Sequence, residues 1–310
     1  MAIRYVPSQD YPTIQAGVDA AIPGDVVYVR SGFYTETITV STSSIRIIAQ
    51  KKPAVILKAN NESENPFTLN DVTNVEISGF VIQKSLRGIF VYRGGYHRII
   101  GNIMQNSGEG VLTEDSVGNF IYRNYIRYNR SVGVLLGWNI GSTSNWVVEN
   151  LITGNGSHGV EVWSAVNANN AIIRNKLFAN NGDGVKVNSP NTLVYGNEVK
   201  GNQLSGINFA SGDYSVAAGN VVEKNASANI DISSSYAIAI DNCVVEDGIG
   251  IDINGNYNIV QANNVEDNRN GGINIDGTNN TVIYNELENN RPQNIDDNGT
   301  DNNILCNDTN

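Results

Sequence analysis

The sequence predicts an all-β fold, a parallel β-helix with coils of about 22 residues. Three observations predict it. Apolar residues alternate with period two inside short pieces, and single Asn or Gly residues punctuate those pieces, which is strand-and-turn patterning rather than the i, i+3, i+4, i+7 spacing of a helix. An asparagine column recurs at Asn124, Asn150, Asn175, Asn197, Asn220, Asn242, Asn263, Asn285 and Asn307. In phase with it runs G-[IV]-x-[IV], as GIFV at 88, GVLL at 133, GVEV at 159, GVKV at 184, GIDI at 250 and GINI at 272.

Each unit is too short to bury a core alone, so neighbours must stack strand on strand. Parallel stacking sets equivalent columns about 4.8 Å apart. Asparagines in one column then bond amide to amide, and valines and isoleucines pile up inside. The composition agrees: only 16% of residues are charged, against about 25% in an average globular protein.

The elements follow in chain order. Residues 12–21 read as a short amphipathic helix capping the N-terminal end, with Pro12 at the first helical position and Ile14, Val18 and Ala21 on one face. GDVVYVRSGFYTETITV, from Gly24, reads as the first strands. Regular coils run from about residue 75 to 310, and residues 1–310 read as one domain. Gly79 and Gly101 read as forerunners of the asparagine column, with an apolar column two residues on at Val81, Ile103, Ile126, Ile152 and Leu177. A second polar column reads as Asn129, Asn155, Asn180, Asn202, Asn225, Asp247, Asn268 and Asn290. The C-terminal end shows no comparable cap and is a place for self-association. Cys243 and Cys306 lie three coils apart, about 14 Å, beyond disulfide reach; two free thiols are expected, with Cys243 buried.

A net charge of −11 without any Lys/Arg cluster excludes nucleic acid and anionic membranes as partners. An acidic polysaccharide is repelled too, unless a divalent cation bridges. No apolar run approaches the roughly 20 residues of a membrane span.

The stretch DYPTIQAGVDAAIPGDVVYVRSGFYTETITV, followed by N-x-[IV]-x-x-N…G-[IV]-x-[IV] coils, resembles the pectin-lyase-like superfamily over nearly the whole chain. Within it, the pattern is most similar to NosD-like and CASH-type (carbohydrate-binding and sugar-hydrolase) β-helices. The resemblance implies a single-stranded right-handed solenoid, a polysaccharide or glycan partner, and a secreted or cell-surface setting. MAIRYVPSQDYPT has no signal-peptide h-region, which leaves a cytoplasmic location open. The catalytic strings of polygalacturonases, pectin methylesterases and alginate epimerases are absent. GSHGVEV is similar to the polygalacturonase GHGISI strand but lacks the preceding Asp-Asp.

In such relatives the strand matching G-[IV]-x-[IV] lines the substrate cleft. Here its x residues are expected to face outward: Phe90, Leu112, Leu135, Glu161, Lys186, Asn208, Asp231, Asp252, Asn274 and Asp296. The residue before each glycine forms a neighbouring column, Arg87, Glu109, Val132, His158, Asp183 and Ser205. His158 should therefore stack on Asp183, and Glu161 on Lys186. An aspartate can hold a histidine's tautomer, and Glu161 or Lys186 can supply acid or base. These four are the candidate catalytic residues. Trp163, Trp138, Asn188 and Asn208 are the candidate substrate contacts. The coils Asn124 to Asn150 and Asn150 to Asn175 are 26 and 25 residues long, and all three tryptophans fall in them. Their extra residues lie in GWNIGSTSN and SAVNANN, irregular loops of the kind that carry function. Trp146, just before the asparagine column, is expected in or near the core. Asp231 and Asp252 are candidates for Ca²⁺, the one metal cofactor considered. The two readings are carbohydrate binding or processing, by hydrolase or by lyase and epimerase chemistry, and a non-catalytic structural or cell-surface module.

Overall fold

The computed structural model describes residues 1–51, 54–163, 166 and 168–309. The chain winds into a parallel solenoid with three strands per coil. Strands such as Phe120–Tyr122, Tyr125–Arg127 and Val134–Leu136 belong to three sheets, here A, B and C. One coil on, strand Trp146–Val148 returns to pair in parallel with Phe120–Tyr122. Sheet A holds 14 strands from Ile3–Val6 to Asn303–Leu305, which makes the stack about 60 Å long at 4.8 Å per coil. Inward side chains of all three sheets form one core of Val, Ile and Leu.

The corners explain the asparagines. From Gly101 onward each coil turns from sheet A to sheet B at a single left-handed residue, such as Arg123 (φ 51°), Glu149 (φ 52°) or Arg174 (φ 52°). A ladder asparagine follows at once. The main-chain N–H after so sharp a bend points into the solenoid, where it needs a partner. The side chain of the following coil supplies one: Asn124 N–H donates to Asn150 Oδ1 at 2.8 Å, and Asn124 Nδ2 donates to the same oxygen at 3.0 Å. The bend from B to C repeats the device from Asn129 through Asn155 and Asn180.

The structure adjusts the predicted columns at three points. Asn102, not Gly101, precedes Asn124 in the ladder; Gly101 is the bend residue (φ 61°), so the core residues of these coils are Ile82 and Met104 rather than Val81 and Ile103. Asp247 is not a rung. Asn229 replaces it, accepting from Asn225 Nδ2 and donating to Asn268 Oδ1 at 3.0 Å each. A carboxylate lacks the N–H that a rung must donate onward. A third, broken ladder occupies the C-to-A corner, at Asn119, Asn145 and Asn170 and again at Asn258, Asn280 and Asn302.

The N-terminal cap is helix Ile14–Asp19, with Thr13 as N-cap accepting the Ala16 N–H at 3.0 Å. Pro12 therefore lies before the helix, not in its first turn. Ile14, Val18 and Ala21 are buried on the core, as their spacing predicts. Cys243 and Cys306 are free thiols; Cys243 is half-buried on the outer side of sheet B rather than in the core, and burial raises its thiol pKa.

His97 occupies a rung position of the third ladder. Its Nδ1 accepts the Val75 N–H at 3.2 Å, and its own N–H donates to Asn119 Oδ1 at 3.2 Å. The side chain is fully buried, and burial drives its pKa down from 6.5 to about 4. Between those values the unfolded chain binds a proton that the native chain refuses, so acid destabilises the fold. Unfolding free energy should fall by about 3 kcal/mol as pH drops through this window. A His97→Asn chain, which completes the ladder chemically, should lose that slope in urea titrations.

Candidate functional site

The candidate residues lie on sheet C, and its register is the predicted one. Phe90, Leu112, Leu135, Glu161, Lys186 and Asn208 stand opposite one another on successive strands. Asp231, Asp252, Asn274 and Asp296 continue the column. Burial departs from expectation. Leu112 and Leu135 are each 1% exposed, and with Val132 and Phe90 they form an apolar cluster separate from the solenoid core. These side chains leave the sheet on its outer face yet are covered there.

Glu161 follows Leu135 in this column and is 2% exposed. Its Oε1 has no hydrogen-bond partner. The strand register sets it opposite Lys186, and the His158 ring reaches it from the same coil, with Nε2 4.0 Å from Oε1. That is too long for a hydrogen bond. Burial raises the Glu161 pKa; His158 and Lys186 oppose the shift and Asp183 adds to it.

His158 is held from one side. Its Nδ1 accepts the main-chain N–H of Asp183 at 2.9 Å. In the neutral ring the proton then sits on Nε2, toward Glu161. The peptide of Asp183 sets the tautomer, not its carboxylate, which lies 3.3 Å from Nδ1. Gly182 makes room: a Cβ there would stand 2.6 Å from Nδ1. The Asp183 carboxylate accepts the Ser205 N–H at 2.8 Å through Oδ1, and Asn208 Nδ2 reaches Oδ2 at 3.4 Å. Asn208 Oδ1 is buried without a partner. One imidazole thus spans the gap between two carboxyls, which keeps them less than about 10 Å apart, the regime of paired glycosidase carboxylates.

Trp138 and Trp163 stack at 5.1 Å with 20° between ring planes, both more than two-fifths exposed. Trp163 lies two residues beyond Glu161 on the same chain segment, so the aromatic pair flanks the carboxyl. Asn188 is half-buried one coil further, its N–H bonded to the Val162 carbonyl at 2.8 Å. Of the predicted loop SAVNANN, Ser164, Ala165 and Asn167 lie outside the described residues. Trp146 is not in the core. It is 47% exposed on the outer face of sheet A, because its place at the start of a strand puts Val147, not Trp146, inward.

Asp231 and Asp252 stand opposite each other. Burial raises both pKa values; Ser233 and Asn254 donate to these carboxylates at 2.9 and 3.0 Å. Among the described residues, no three of His, Cys, Asp and Glu gather as a metal site. Among the described residues no helix is long and apolar enough to cross a membrane.

Comparison with known proteins bears on the fold. No curated protein matches the sequence. Among solved structures, the crystal structure of a Dettilon tailspike protein superposes with a TM-score of 0.71 at 16% identity, covering 92% of this chain and 67% of that one. The PL6 family alginate lyase AlyGC gives 0.71 at 13% identity, covering 99% of this chain, which spans about half (51%) of the lyase. The catalytic domain of a GH87 alpha-1,3-glucanase, in complex with tetrasaccharides, gives 0.66 at 12% identity, covering 96% of this chain and 66% of that one. The family model described as "Right handed beta helix region" matches residues 65–203 and 137–291. Its matched span covers most of the coils described above, and the chain belongs to the right-handed β-helix family.

Proposed function

We propose that the outer face of sheet C around His158, Glu161 and Asp183 binds a neutral glycan and hydrolyses it. One observation carries the proposal: a carboxyl that is 2% exposed, without a partner for Oε1, sits beside a tautomer-fixed histidine and a second carboxyl, flanked by exposed tryptophans. Burying an unsatisfied carboxyl is costly to the fold, and a raised carboxyl pKa is what a general acid needs near neutrality.

In this reading Glu161 protonates the departing glycosidic oxygen. Asp183, fixed by the Ser205 N–H, takes the proton of the attacking water, and His158 keeps the two carboxyls apart. The cover over Glu161 must part when substrate enters. Apolar faces of sugar rings suit the Leu112, Leu135 and Phe90 strip and the Trp138–Trp163 pair. Lys186 is the one cation in the outward column from Phe90 to Asp296, too little to neutralise a run of uronates. Similar solved folds include a glucanase and an alginate lyase, which supports a glycan partner in general.

The test is a panel of neutral and uronate-containing polysaccharides, scored for binding, new reducing ends and unsaturated uronates. Neutral products, lost in a His158→Ala, Glu161→Ala double variant, are expected. Unsaturated uronates would replace hydrolysis by lyase chemistry. Binding without product, abolished by Trp163→Ala, would leave a non-catalytic glycan shelf, the second reading that the exposed tryptophan pair favours.

A further inference from the structure

Trp138 sits in a loop, yet its ring is held in place. The loop, residues 137–141, leaves strand Val134–Leu136 and returns at Ser142–Thr143. Both ends are fixed. The left-handed Gly137 (φ 73°) donates its N–H to the Thr113 carbonyl at 2.7 Å, and Ser142 Oγ and Thr113 Oγ1 share a hydrogen bond of 2.8 Å. Between these ends Trp138, Asn139 and Ile140 are exposed. A carboxylate reaches into the middle of the loop: the Asn139 N–H donates to Glu114 Oε1 at 3.1 Å. That N–H belongs to the planar peptide joining Trp138 to Asn139, so the bond fixes the plane next to the Trp138 Cα.

Glu114 differs from the other outward glutamates. Glu149, Glu198 and Glu223 each pair with an Arg or Lys of a neighbouring coil. Glu114 stands on the outer face of sheet C, two residues after Leu112 and opposite Tyr92, and is only 9% exposed. Arg93, beside Tyr92, pairs with Asp71 and Asp115 instead. Burying a carboxylate without a cation is costly, while its bond to a main-chain amide is about twice as strong as a neutral one. Here that bond is directed at a loop next to the aromatic pair.

Resting on the glycan reading of sheet C for its consequence, we infer that Glu114 is a positioning residue for the aromatic platform. By holding the Trp138–Asn139 peptide it keeps the Trp138 indole stacked on Trp163, two residues from Glu161, and so sets where a sugar ring lies relative to the acid. Without the bond the exposed peptide turns to water, and the Trp138 ring must be ordered each time a glycan binds. The cost falls on binding, because Glu114 touches no reacting atom.

Circular dichroism and kinetics of the full chain test this. Two indoles 5.1 Å apart at a fixed angle give an exciton couplet. Trp163→Phe should abolish it, and Trp146→Phe, on sheet A, should not. Glu114→Leu keeps the volume but removes the acceptor; it should abolish the couplet and leave the thermal midpoint near that of the wild type. Glu114→Ala serves if the leucine chain does not fold. Glu114→Gln keeps an acceptor oxygen and should keep the couplet. In Glu114→Leu the KM for the glycan, or the Kd where no bond is cleaved, should rise about 10-fold, the upper cost of ordering one large side chain. The loss should fall on KM rather than kcat, and glutamine should restore it. A couplet that survives in Glu114→Leu, is lost equally in Glu114→Gln or is absent from the wild type would overturn the inference, and so would a lost couplet with an unchanged KM. A wild type that binds no glycan would overturn the reading of sheet C instead, while the couplet would still decide whether Glu114 holds Trp138.

Discussion

An Asn150→Ala chain is expected to lose about 3 to 5 kcal/mol of unfolding free energy. The side chain makes four hydrogen bonds in the core. Its Oδ1 accepts from Asn124 N–H and Asn124 Nδ2, and its Nδ2 donates to the Ile121 carbonyl and to Asn175 Oδ1. Alanine removes all four. It also strands the Asn124 N–H at a position 2% exposed and left by the Arg123 bend with no alternative partner in sheet A or B. Each stranded buried group costs about 1 to 3 kcal/mol, and the vacated volume adds to it. Urea unfolding measures the total. Hydrogen exchange locates it: protection should fall first at Asn124 and at the rungs beside it. A loss under about 1 kcal/mol, within the worth of a single net hydrogen bond, would mean that the ladder fills space without holding the corners.

Glu161→Gln is expected to lower turnover about 10²- to 10⁴-fold, the contribution of a positioned general acid, while stabilising the fold at neutral pH. The sign follows from linkage. Burial raises the carboxyl's pKa in the native state above its unfolded value. The native chain therefore holds a proton that the unfolded chain gives up, and stability falls as pH rises from the ordinary glutamate range through the native pKa. Glutamine has no such slope. Wild type and variant should accordingly diverge in urea midpoint as pH rises, the variant being the firmer. The wild-type rate should fall as pH rises through the same native pKa. A variant that keeps its rate would remove Glu161 from the reaction.

The solenoid was legible because its corners demand a particular amide at a fixed interval, so Asn124, Asn150 and Asn175 announce it before any strand is identified. The third ladder was not. His97, Thr192, Ser215 and Ala237 stand among its asparagines: the Thr192 N–H donates to Ser215 Oγ, the Ser215 N–H to the Gly212 carbonyl, and the His97 and Ala237 N–H groups to Asn119 and Asn258 Oδ1. At the site, strand register followed from phase alone, which paired His158 with Asp183 and Glu161 with Lys186. Burial did not follow. Whether Leu112 or Glu161 meets water depends on side walls raised by residues elsewhere in each coil, and no local pattern encodes that. The consecutive Leu112 and Leu135 at outward positions were the available sign of a covered face. Trp146 was misplaced because its position before the asparagine column was read as inward, whereas strand phase puts Val147 there.

The asparagine ladders have a direction. Every rung donates its amide hydrogen to the coil that follows and accepts from the coil before, from Asn102 to Asn124 through Asn285 to Asn307. Each amide carries a dipole of about 3.5 D, and aligned amides polarise one another. The solenoid is thus an electret in miniature, with oxygens toward its first coil and hydrogens toward its last. Two such rods lying side by side attract when they run head to tail and repel when they run in step. The buried ladders therefore give the whole rod a polarity that its neutral side chains do not advertise at the surface.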